Sequence, residues 1–169
     1  MKKTSINNPI ITEELISFLI ENEVISKSSL AVTTDHLKKI YGKAKRFYDN
    51  GNYREARNLF SFLYILDQEN SYFLYGLASC HMLLNDIDAA IRTFMQYAKF
   101  ASEDPNPFFY IANCYEKKND LASTLIALQE TIDRCGDKPQ YADLKKRAML
   151  AFEYFKKQIA AEGAAPTKT

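Results

Sequence analysis

The side chains of this sequence best suited to chemistry are three thiols, Cys80, Cys114 and Cys135, and two imidazoles, His36 and His81. A thiol nucleophile needs a neighbouring base to take its proton, and a zinc site needs Cys or His ligands at short, fixed spacings. Neither pattern occurs: there is no CxxC, and neither histidine stands at ligand spacing from a Cys or Asp. Cys80 and Cys114 sit 34 residues apart in similar surroundings, which makes them equivalent places in a repeated structure and assigns them to packing. His81 falls where Phe47 and Tyr115 stand in the neighbouring repeats, so it is expected to be partly buried, and His36 is expected in the linker before the first repeat helix. Asp86 and Asp88 belong to a turn, and Glu13 with Glu14 marks a helix start. Without a nucleophile and base, a glycine-rich phosphate loop or paired catalytic carboxylates, the sequence reads as non-enzymatic, with no metal and no cofactor. A thiol enzyme using Cys80 or Cys114 is the weakest of the readings kept open.

What remains is binding chemistry, and its elements come from an internal period. Gly76-Leu77-Ala78-Ser79-Cys80 superposes on Tyr110-Ile111-Ala112-Asn113-Cys114 at an offset of 34 residues. The same offset links Ala44, Ala78 and Ala112, then Ala56, Ala90 and Thr124, then Phe60, Phe94 and Leu128. Two helices approach closely only where one side chain is small, with large residues filling the space to either side. This period and pattern resemble the tetratricopeptide repeat, an antiparallel helix pair. The expected fold is all-α: three tandem helix pairs at 37–70, 71–104 and 105–138 forming a short solenoid, each helix about 12 to 15 residues long. Residues 1–36 hold an N-terminal tail, an apolar helix and a linker. A capping helix is expected over 139–157, with Tyr141, Leu144, Ala148, Ala151, Phe152 and Phe155 on one side, and a disordered tail over 158–169.

A second stripe on the first helix of each pair is not needed by the repeat core. It holds Tyr41, Lys45 and Tyr48, then Tyr72, Tyr75, Ser79 and Met82, then Phe109 and Asn113, related by helical steps of three and four. In stacked tetratricopeptide units this face resembles the concave wall of the family's binding groove. Tyr and Phe supply rigid, amphipathic contact area and Met adapts to varied shapes, so the stripe suits an extended apolar peptide. The plainer alternative is that these aromatics pad the contacts between repeats.

Composition narrows the partners. Of 169 residues 47% are hydrophobic, enough for a folded core, while 22 Lys and Arg against 21 Asp and Glu leave a net charge of +1. No field of either sign points to nucleic acid or an anionic membrane. Five Gly and five Pro provide few of the turns an all-β fold needs. No apolar run matches a signal sequence or a membrane span, and an odd number of cysteines suits a reducing compartment, so a cytosolic protein is expected. Near the start, Thr12 can cap a helix carrying Leu15, Ile16, Phe18, Leu19 and Ile20. So large an apolar load must be covered, either in cis or by a second chain, and Leu15, Ile16, Phe18 and Leu19 are the expected dimer interface.

Leu66-Asp67, Ser71, Phe73, Gly76-Leu77-Ala78, Cys80, Asp104-Pro105, Phe109, Ala112 and Cys114 together resemble the type III secretion chaperones of the low-calcium-response class, over roughly residues 12–155. The resemblance implies a bacterial cytoplasmic chaperone serving two hydrophobic translocator subunits, keeping them apart until secretion and binding a Pro-x-Leu-x-x-Pro-like segment in the groove. It further implies a homodimer, and an AraC-type transcriptional activator as a partner once the client is gone. Lys45 stands where such chaperones often carry a bulkier apolar group. The rival function is a generic tetratricopeptide adaptor for a C-terminal carboxylate, for which Lys45 and Asn113 would be the polar contacts.

Overall fold

The computed structural model describes residues 33–163; the expected N-terminal helix with Leu15, Ile16, Phe18 and Leu19 lies outside them, as do the last residues of the tail. Seven α-helices follow in order: α1 (Thr34–Asp49), α2 (Tyr53–Leu66), α3 (Ser71–Leu83), α4 (Ile87–Phe100), α5 (Asn106–Lys117), α6 (Leu121–Cys135) and, after a 3-10 turn at Pro139–Tyr141, α7 (Ala142–Gly163). Each packs mainly on the helix before and after it in sequence, so α1/α2, α3/α4 and α5/α6 form three hairpins stacked in series with α7 against the last.

The reversals inside the hairpins share one construction. Gly51, Asn85 and Asn119 occupy the same place in successive repeats, and all three adopt the left-handed conformation, with φ of 79°, 62° and 57°. Glycine and asparagine are the residues that enter this region at least cost. The next residue's amide then reaches back to the carbonyl of Phe47, His81 or Tyr115, at 2.8, 2.9 and 3.0 Å, closing the helix end. These are Schellman-type stops.

The small residues lie where the helices touch. Ala44, Ala78, Ala56 and Ala90 are fully buried, as are Ala112 and Thr124 to within a percent, beside Phe60, Phe94 and Leu128. Thr124 and Thr131 meet the cost of a buried hydroxyl by donating to the carbonyls of Asp120 and Ala127, both at 2.8 Å. Helix α3 is buried almost all round, through Phe73, Leu74, Leu77, Ala78, Ser79 and Cys80, because it lies between the two apolar clusters that make up the core. Cys80, Cys114 and Cys135 are buried and unpaired. Burial pushes the thiol pKa of Cys80 up to about 12 and that of Cys114 to about 11, which keeps both protonated and poorly nucleophilic at neutral pH.

Three local expectations are corrected. His36 is not in a linker: it lies in the first turn of α1, where Thr33 Oγ1 accepts from its N–H at 3.3 Å and its Nδ1 accepts from the Thr33 N–H at 3.4 Å. The imidazole takes the reciprocal place that Glu or Gln holds in a capping box, so the helix starts earlier than the apolar pattern indicates. Helix α1 accordingly runs 16 residues. Helix α7 continues to Gly163, past the boundary expected at 157, since Gln158 to Glu162 are all helix-tolerant residues and nothing breaks the helix before the glycine.

One close approach dominates the packing. A Cβ built on Gly76 would stand 2.6 Å from Phe60 Cε1, whereas one on Gly42, the equivalent place in the first repeat, would meet nothing within 4 Å. Gly76→Ala is therefore expected to cost about 1–3 kcal/mol through overpacking. Gly42→Ala should be neutral or stabilising by up to about 1 kcal/mol from helix propensity. Paired urea melts measure the contrast; equal effects at the two glycines would show that the Phe60 contact is not the constraint.

Candidate functional site

The first helices of repeats one and two, α1 and α3, present neighbouring faces, and a cavity of about 180 Å³ opens between them. Six of the nine stripe residues line it: Tyr41, Lys45, Tyr48, Tyr72, Tyr75 and Ser79, joined by Asp49, Phe60 and Gly76. A larger hollow of about 450 Å³ shares Tyr41 and Tyr72 with it and extends along the same seam past Leu37, Lys38, Asn70 and Phe73. The result is a furrow with aromatic walls.

Its opening depends on a difference between repeats. Phe60 of the first repeat faces Gly76 of the second, while Phe94 of the second faces Tyr110 of the third, the same places one repeat on. Tyr110 stacks on Phe94, with ring centroids 5.3 Å apart and planes 13° from parallel, so a second ring stands where the first seam has only the backbone of Gly76 under Phe60. Tyr75 packs edge-on against Phe94, Tyr97 and Tyr110, at 6.1, 5.4 and 6.1 Å. This cluster forms the wall between the open seam and the filled one, and edge-to-face pairs of this kind contribute beyond their buried area.

The walls are held individually. Tyr41 lies edge-on to Phe60 at 5.9 Å, and Tyr48 to Tyr53 at 5.5 Å. Ser79 is nearly buried and donates to the Tyr75 carbonyl at 2.8 Å, so it shapes the floor more than it offers a free hydroxyl. Tyr72, 71% exposed, stands at the mouth. Lys45 Nζ pairs with Asp49 at 2.9 Å, which leaves that rim with no net charge and raises the lysine's pKa through the hydrogen bond. Burial raises the pKa of Tyr48, against a smaller opposing hydrogen bond with Ser79. Burial, then a hydrogen bond with Tyr110, lifts Tyr75 far above the usual tyrosine range, and burial with the Asp104 hydrogen bond does the same for Tyr97. The furrow is thus neutral and amphipathic, suited to apolar side chains and backbone hydrogen bonds.

Three stripe residues lie apart from it. Phe109 is buried, with the Arg147 guanidinium from α7 4.7 Å from its ring centre. Met82 packs against the second core cluster, and Asn113 is half-buried on α5. Conversely, Asp49, Phe60, Gly76 and the outer residues Leu37, Lys38 and Phe73 line the furrow without having been singled out for it. Gly76 against a large residue at 60 was the available signal, but only contact across helices converts it into a cavity.

The tetratricopeptide repeat family model matches residues 41–106. The low calcium response locus protein H of Yersinia pseudotuberculosis is 31% identical over 128 residues, 74% of each chain. The chain belongs to the low-calcium-response family of type III secretion chaperones. Among solved members, the Yersinia enterocolitica translocator chaperone SycD has a TM-score of 0.72 at 27% identity, covering 76% of this chain and 89% of that one. SycD has also been solved in complex with a peptide of the translocator YopD; that structure matches with a TM-score of 0.71 at 28% identity, over 75% of this chain and 96% of that one.

The tyrosine shifts carry a pH dependence. A group whose pKa is raised by folding contributes stability that is complete below its unfolded value, about 10 for tyrosine, and is lost as pH rises beyond it. The buried thiols of Cys80 and Cys114, raised to about 12 and about 11, obey the same rule from a lower starting value, so stability should be level from neutral pH to about 8, fall first through the thiols, and above about 10 fall through the tyrosines as well. Cys80→Ala, which removes the thiol shifted furthest, should flatten the decline between pH 8 and 10.5 in urea midpoints, and Tyr75→Phe should matter only above about pH 10; an unchanged slope in the Cys80 variant would place the cause elsewhere.

Proposed function

We propose that this chain is a bacterial cytoplasmic chaperone that masks hydrophobic translocator subunits before secretion by holding an extended client segment in the α1/α3 furrow. The observation that carries the reading is the cavity framed by Tyr41, Tyr48, Tyr72 and Tyr75 over the Gly76–Phe60 contact. A furrow of neutral aromatic walls recognises apolar anchors such as Pro and Leu spaced along an extended chain. Each anchor, fully buried, contributes about 1.5–3 kcal/mol, and two or three offset the ordering of a disordered segment to leave micromolar affinity. The SycD complex with a YopD peptide supports the client class, since that protein is a relative of this one. Of the stripe residues outside the furrow, half-buried Asn113 would extend the contact along α5, while Phe109 and Met82 support the core behind it. Two hydrophobic translocators would be the clients, and the emptied chaperone would be free to join an AraC-type activator.

The N-terminal residues Leu15, Ile16, Phe18 and Leu19 would mediate a homodimer. A crystal form of SycD described as an alternative dimer supports self-association as a property of such chaperones. The carboxylate-adaptor alternative loses ground because Lys45 is already paired with Asp49.

Titration of a fluorescent Pro-x-Leu-x-x-Pro translocator peptide checks the furrow. Replacing Tyr48 and Tyr72 together by Ala should weaken binding at least about thirtyfold, since each is an exposed or half-exposed aromatic anchor. Lys45→Leu should change the preference among client peptides by less than about tenfold. Wild-type affinity in a Tyr48→Ala/Tyr72→Ala protein of unchanged helical circular dichroism would rule the furrow out.

A further inference from the structure

The inner wall of the furrow leans on a residue that does not line it. Tyr97 of α4 is 8% exposed, and its ring lies edge-on to Tyr75 at 5.4 Å with the planes 61° apart. Its hydroxyl donates to Asp104 Oδ2 at 2.9 Å. The other carboxylate oxygen accepts from the Asn106 N–H at 3.0 Å and from Asn106 Nδ2 at 2.7 Å, so half-buried Asp104 joins the end of α4 to the start of α5. The repeat fold needs only part of this. At the equivalent place one repeat earlier, Asn70 makes the same turn contact, accepting from the Tyr72 N–H at 3.3 Å, but Leu63 stands there in the place of Tyr97. One repeat later the two places hold Thr131, whose hydroxyl donates to the Ala127 carbonyl, and Lys138, whose ammonium pairs with Glu103. The bond from tyrosine to carboxylate therefore belongs to the repeat boundary behind Tyr75, and helix capping does not account for it.

We propose that Asp104 is a positioning residue for client binding: through the Tyr97 hydroxyl it fixes the ring that backs Tyr75, and so sets the inner wall of a furrow that neither Asp104 nor Tyr97 lines. The proposal rests on the furrow reading above and names what holds its shape. A tyrosine hydroxyl in a nearly buried place must keep a partner, because leaving it unpaired costs its full desolvation. Without the carboxylate, the Tyr97 ring turns until its hydroxyl meets another acceptor or water, and Tyr75, in edge contact with it, moves as well. Tyr75 also touches Phe94 and Tyr110, and rings in so packed a cluster do not shift independently. A wall in place before the client arrives spares the cost of ordering it on binding, so its loss is felt in affinity.

Titration of the fluorescent Pro-x-Leu-x-x-Pro peptide, together with fluorine NMR of a fluorotyrosine placed at position 75, tests the coupling on the full chain. Asp104→Ser is the informative change: its hydroxyl can still accept from the Asn106 N–H and start α5, but is too short to hold Tyr97 as well. It should weaken peptide binding at least about fivefold and shift the position-75 resonance of the free protein. Asp104→Asn, whose amide spans the same contacts and can donate to the Tyr97 oxygen, should stay within about twofold of wild type and leave the resonance in place. In a Tyr97→Phe background, where no hydroxyl needs a partner, Asp104→Ser should weaken binding by less than about twofold further, as expected of a residue that acts through another. Wild-type affinity in Asp104→Ser, with only the urea midpoint lowered, would overturn the proposal and leave Asp104 a structural cap. An undiminished loss in the Tyr97→Phe background would overturn it too, since the effect would then bypass Tyr97. If Tyr48→Ala/Tyr72→Ala weakens binding while Asp104→Ser does not, only this role falls; if neither does, the furrow reading falls with it.

Discussion

The contact on which the rest depends is the ring of Phe60 lying over Gly76. Because no Cβ stands at 76, α3 settles against α2 while the edge of α3 facing α1 keeps its hollow. One repeat on, Tyr110 replaces the glycine and stacks on Phe94 instead, turning the corresponding seam into solid aromatic core. A single change of size at one repeat position therefore leaves the seam between α1 and α3 hollow and fills its counterpart one repeat on.

That contrast gives the furrow its chemistry. The open seam borrows rigidity from the closed one, since Tyr75 is wedged between the cavity and the Phe94, Tyr97 and Tyr110 rings. Its hydroxyl stays neutral because ionising it would place a charge in a desolvated cluster beside Tyr110. With Lys45 neutralised by Asp49 at the rim, the furrow offers contact area without a strong field. Such a surface selects for shape and apolar content, which suits a chaperone whose clients are hydrophobic segments better than an adaptor that must find a terminal carboxylate.

Most of the fold was legible in the sequence because its physical requirements repeat. Small residues such as Ala44, Ala78 and Ala112 must recur where helices touch, and a period of 34 follows directly. The stops at Gly51, Asn85 and Asn119 obey the same period, since each reversal needs a left-handed residue. Less legible were features set by contact between elements distant in sequence. Phe109 is buried in the core cluster shared with α7, with Arg147 against its ring, and helical spacing on α5 alone gives no hint of that. The contrast between Gly76 and Tyr110 becomes a cavity only when set against Phe60 and Phe94. The capping box at the start of α1 was hidden for a different reason: His36 is an unusual partner for a capping threonine.

The most direct measurement of the central claim is site-specific photocrosslinking with a full-length translocator, placing the photoreactive side chain at Lys45 on the furrow rim or at Ile126, an exposed position on α6. The account predicts adducts from position 45 to an extended client segment carrying Pro and Leu anchors, identified by mass spectrometry, and far fewer from position 126. Efficient crosslinking from 126 with none from 45 would contradict it, because the client would then be held on a surface other than the α1/α3 furrow.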